Sequence, residues 1–186
     1  MHEYKPDGTV TPATLEKAKQ GLALVILGRD MGCFDSMMIV AVRDGDRFSA
    51  KKAVKPPLYA DRSTNVSQME LDPGDYYVVN YVCGKKSDSA DRYKIKQITL
   101  GGDPDMGLLT NYFPNSFATF RVAAGEVVNL GSLNFQLSDD EKSLAIQVSE
   151  WPEEEEIRFR NSHPKLAEHM KTRLLSVTNG YATKKE

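Results

Sequence analysis

Apolar residues in this chain come in short runs or in strict alternation, which are the two signatures of strands, and helical spacing is confined to its two ends. Leu22 to Leu27 is an unbroken run of six apolar residues between Gly21 and Gly28, too short for an ordinary helix and suited to a buried strand. Ser36 to Arg43 (SMMIVAVR) is a second such run. Asp44-Gly45 after it, followed by DRFSA, predicts a hairpin with a type I′ turn. The stretch KKAVKPPLYADRSTN has consecutive prolines and little periodicity and reads as a connection over a sheet edge.

The segment MELDPGDYYVVNYVCG predicts a strand ending at Leu71, a turn at Asp72 to Asp75, and a strand from Tyr76 to Cys83. Simple alternation puts Tyr77, Val79, Tyr81 and Cys83 on one face and Tyr76, Val78, Asn80 and Val82 on the other. A strand apolar on both faces belongs in the middle of a sheet covered on both sides, with the C-terminal helices as the expected outer cover. Tyr93 to Leu100 is a further strand, and residues 101–116 (GGDPDMGLLTNYFPNS) form the longest irregular stretch, carrying Leu108, Leu109, Tyr112 and Phe113. Phe117 to Leu130 reads as a hairpin turning at Ala124-Gly125, and alternating strands follow at Leu133 to Leu137 and Leu144 to Val148.

At the ends, Thr11-Pro12 begins a short helix that Gly21 closes. A second helix starts after Pro152, where five acids in eight residues suit a helix N-terminus. A third is expected from Ser162 to Asn179-Gly180, with Leu166, Met170, Leu174 and Val177 on one face. The predicted fold class is mainly β: an antiparallel β-sandwich, transthyretin-like or immunoglobulin-like, with a short N-terminal helix and C-terminal helices packed on it. The expected organisation is a lead with a short helix over 1–20, a sandwich over 21–148 and a helical appendage over 149–186.

Composition narrows the function classes. The 24 basic and 26 acidic residues of the 186 nearly cancel, which excludes the basic field that nucleic acid or an anionic membrane would require. No apolar run approaches the roughly 20 residues that cross a bilayer. The N-terminus lacks the basic start and apolar centre of a secretory signal, so two histories remain: a cytoplasmic protein, or an exported one whose leader lies upstream. Cys33 and Cys83 fit either a single disulfide or two buried thiols.

Few residues invite chemistry. His2 is terminal, and His163 and His169, six apart on the expected last helix, cannot act as a pair. Cys83 before Gly84-Lys85-Lys86 is a nucleophile candidate, but a disulfide or inert pair is the preferred reading. Asp103 and Asp105 resemble a cation loop without its later ligands and are read as turn chemistry, leaving no metal or cofactor assigned. Asp139-Asp140 and the Glu153 to Glu156 run are expected to be solvated. Asn65-Val-Ser fits a glycosylation acceptor. The clustered Tyr76, Tyr77 and Tyr81, with Tyr59 and Trp151, form either a binding platform or half-buried sheet residues, the latter preferred.

Three features in order, GLALVILG, LDPGDYYVV and FRVAAGEVVNLGSL, resemble the transthyretin-like or carboxypeptidase-regulatory-like β-sandwich domains of bacterial envelope proteins and lipoproteins of unknown function, over roughly residues 20–137. The resemblance implies a seven- or eight-stranded sandwich in the bacterial cell envelope or periplasm and supplies no catalytic residues. The expectation is a non-enzymatic binding or structural module, with an envelope protein or glycan as partner and a lipid anchor upstream as an option. Its recognition surface is the 101–116 loop, anchored by Tyr112 and Phe113. The rivals are a hydrolase using Cys83 or the Asp-lined loop, and a carbohydrate-binding module with a flat row of exposed aromatics.

Overall fold

The computed structural model describes residues 10–28, 35–44, 47–54, 59–60, 64–86, 93–101, 111–178 and 181–183. The described chain runs α1 (Pro12–Ala18), β1 (Gly21–Leu27), β2 (Asp35–Asp44), β3 (Arg47–Val54), β4 (Tyr59–Ala60), β5 (Val66–Leu71), β6 (Gly74–Lys86), β7 (Tyr93–Leu100) and β8 (Tyr112–Phe113). It continues with β9 (Phe117–Val122), β10 (Val127–Leu137), β11 (Leu144–Ser149), α2 (Glu153–Ser162), α3 (Pro164–Ala167), β12 (Met170–Thr172), β13 (Ser176–Thr178) and β14 (Tyr181–Thr183). These strands make two sheets, so the mainly β, two-sheet architecture expected from the pattern is the one observed. The first sheet has the order β14-β11-β10-β1-β5-β4, with β12 also on β10. The second has the order β13-β9-β6-β2-β3, with β7 on β6 and β8 on β7.

Pairing is mixed, not purely antiparallel. β1 runs parallel to β10, as do β12 to β10, β14 to β11 and β8 to β7. Period-2 alternation sets which face a residue takes but not the direction of its neighbour, so the sequence pattern left this open.

Hydrophobicity explains why β1 is central. All seven of its residues are buried. Ala23, Val25 and Leu27 join the core between the sheets, while Leu22, Leu24 and Ile26 join a second cluster under the helices, with Leu15 of α1, Phe159 of α2 and Leu166 of α3. The helices therefore cover the outer face of the first sheet, over β1, and not the outer face of β6 as expected. Thr11 caps α1 as the expected hydroxyl: its side chain accepts from the Thr14 backbone N–H at 3.2 Å, and Thr14 Oγ1 accepts from the Thr11 N–H at 2.8 Å.

Each sheet's long central strand carries one extra residue, and both insertions change the faces. Opposite β2, Ile39 pairs with Asn80 but Val40 pairs with Val78, so Val79 is a bulge in β6. Beyond it the alternation inverts. Tyr76, Val78, Tyr81 and Cys83 all reach the inter-sheet core, which corrects the simple alternation of this strand. In β10, Leu24 pairs with Asn129 and Ile26 with Ser132. Gly131 supplies the positive φ there, +87°, and Val128, Leu130, Leu133 and Phe135 consequently all face the core. Tyr81 and Phe135, brought inward by the two bulges, meet across the sandwich at a ring separation of 4.6 Å.

Two further expectations are corrected. Phe117 to Leu130 is not a hairpin: β9 lies in the second sheet and β10 in the first, so the Ala124-Gly125 turn is an arch between sheets. Its backbone is satisfied from elsewhere, with the Gly125 N–H donating to Gln20 O, the Leu22 N–H to Glu126 O and the Ala123 N–H to the Glu126 carboxylate. An arch and a hairpin share the same alternation, which is why the pattern could not separate them. The third helix stops at Ala167, and the chain beyond it supplies β12 and β14 to the first sheet and β13 to the second. The C-terminal segment is thus woven into the sandwich and is not a helical appendage. The edge of β10 beside Val127 to Asn129 offers hydrogen bonds that outweigh a modest helical periodicity. The expected Asp44-Gly45 and Asn179-Gly180 turns involve residues outside those described.

Candidate functional site

Among the described residues, those singled out for chemistry do not converge. Cys83 is fully buried and disulfide-bonded, so its sulfur is no free nucleophile. The one other cysteine in the chain, Cys33, lies outside the described residues, as do His2, Asp103 and Asp105. His163 stacks on Phe159 at 4.9 Å and bridges α2 and α3, its carbonyl accepting from the Leu166 and Ala167 N–H groups, whereas His169 is exposed beyond α3. The two histidines are structural neighbours of separate surfaces.

Aromatic residues are mostly interior. Tyr76, Tyr77, Tyr81 and Trp151 are all buried, and Trp151 Nε1 donates to Gly131 O at 3.1 Å while its ring meets Phe159 edge-on at 5.4 Å. They serve as sheet and core residues, as preferred above, and no flat row of exposed aromatics exists among the described residues. Tyr112 and Phe113 form β8, where they pair with Thr99 and Leu100 of β7, are half-buried, and Phe113 packs on the core. Phe113 therefore has a scaffold role whatever else the rim does. Most of the adjoining loop, residues 102–110, is outside the described residues.

The acidic run is not uniformly solvated. Glu155 is buried, and its carboxylate accepts from Asn65 Nδ2 at 2.8 Å and from Arg158 Nη1 at 3.1 Å, tying α2 to the start of β5. Helical periodicity through Phe159 turns position 155 inward, a signal that was present in the sequence but masked by three identical neighbours. The Asn65 amide of the glycosylation sequon is engaged in this bond. Asp140 is fully exposed as expected, with the Ser138 hydroxyl and the Lys142 N–H holding its carboxyl below the usual range.

Sequence reasoning missed a groove beside the second sheet, because its residues come from three segments far apart in the chain. A depression of ≈ 210 Å³ is lined by Asp75 and Tyr76 of β6, Thr119, Phe120 and Arg121 of β9, and Arg173, Leu174 and Ser176. The Tyr76 and Phe120 rings, nearly parallel and 5.5 Å apart, are buried on the inter-sheet side of their strands. Tyr76 donates its hydroxyl to Asp72 O at 2.6 Å, and burial together with the nearby Asp72 carboxylate holds its phenol above the usual value. Arg173 Nη2 is fixed by Arg121 O at 2.6 Å and by Glu126 Oε2 at 2.8 Å. Arg121 is far looser: its side chain is 73% exposed, and its Nε lies 3.9 Å from Asp75 Oδ1, beyond hydrogen-bond range.

Comparison with protein-family models, with curated proteins and with solved structures finds no match to this chain. The class defined by the fold is a two-sheet β-sandwich with helices over one face. Among the described residues no helix is long and apolar enough to cross a membrane.

Proposed function

We propose that this protein is a non-catalytic binding or structural module of the bacterial cell envelope, working in an oxidising compartment. The observation that carries the reading is the disulfide at Cys83 in the core of the second sheet. Bridges of this kind form and persist outside the reducing cytoplasm. Support also comes from where the transthyretin-like segments fall: GLALVILG contains β1, LDPGDYYVV spans the passage from β5 to β6, and FRVAAGEVVNLGSL spans β9 to β10. The same residues that invited a nucleophile or an aromatic platform are occupied as bridge and core, which shifts recognition to the rims of the sheets. In such a module the sandwich holds surface residues in fixed relation and the partner is bound without bond-making chemistry.

Thiol trapping in cells tests this. Protein expressed from its natural coding sequence in its native host, and alkylated before lysis with a maleimide polymer, is expected to stay unmodified until denatured and reduced, and then to gain two adducts. Two adducts on denaturation without reduction would mean free thiols in the cell and would remove the envelope reading.

A further inference from the structure

We draw no further inference here: the strongest candidate, the buried polar pair of Asn80 in β6 and Thr99 in β7 on the outer face of the second sheet, carries nothing, because the two side chains are cross-strand neighbours and nothing among the described residues shows what covers them.

Discussion

Replacing Gly131 with Ala isolates the bulge that turns β10 inward. The added Cβ would lie 2.5 Å from Ser149 O and 2.8 Å from Leu174 Cδ2, at a residue whose φ is +87°. Gly125→Ala is the matched control, since its φ is +73° but its Cβ would meet Glu16 Cβ at an accommodating 3.3 Å. Both variants carry the backbone penalty of a side chain at positive φ, about 1 to 2 kcal/mol. Only Gly131→Ala adds an overpacking cost, about 1 to 3 kcal/mol. Ser149 cannot retreat cheaply because it is paired with Ser132 in the β10–β11 ladder. The expectation is therefore a loss of about 1 to 2 kcal/mol for Gly125→Ala and about 2 to 5 kcal/mol for Gly131→Ala. Trp151, the chain's one tryptophan, is buried and donates to Gly131 O, so its fluorescence reports urea unfolding at the site in question. Adding Leu174→Ala to Gly131→Ala should recover part of the loss as a favourable coupling. If the two single variants unfold within about 0.5 kcal/mol of each other at equal m-values, Gly131 is not sterically confined and the account of the bulge fails.

Three further outcomes are expected. Glu155→Ala should cost about 1 to 3 kcal/mol by stranding Asn65 Nδ2 and Arg158, whereas Glu154→Ala on the exposed side should stay within about 0.5 kcal/mol; equal losses in chemical denaturation would contradict the burial of one acid in the run. Because the Tyr76 phenol titrates above its unfolded value of 10.0, the native state holds its proton longer than the unfolded chain, so stability is full below that pH and falls as pH rises beyond it. Urea midpoints at successive alkaline pH values should show this fall, and a Tyr76→Phe variant with the same slope would exclude Tyr76 as its source. With Cys33 as the partner of Cys83, reduction opens a loop of about 50 residues and should lower stability by about 4 kcal/mol; an unchanged urea midpoint in reductant would argue against that bridge.

Much of the strand inventory was legible because burial writes itself into hydrophobic pattern. β1, β5 to β7 and β9 to β11 all fall where apolar runs or alternation placed them, and α1 falls where Thr11 and Pro12 placed it. The errors have a common cause. The extra residues at Val79 and Gly131, the arch at Ala124-Gly125 and the parallel β1–β10 pair all depend on where a partner strand lies, and a one-residue bulge inverts every face beyond it. The groove was illegible for the same reason, since Arg121 and Arg173 meet only once β9 and the C-terminal segment are brought together.

What the sequence determined by itself is thus local and one-dimensional: which segments are extended, which are too apolar to face water, and where Thr11 and Pro12 start a helix. Tertiary structure alone decided the rest. It chose that β1 and not β6 lies beneath the helices, that one of four consecutive glutamates is buried, and that β12, β13 and β14 join two sheets where a helix was expected to run on. The physical reason is that side-chain periodicity reports the environment of a strand's faces, whereas sheet neighbours are set by backbone hydrogen bonds, which every residue except proline can make in the same way.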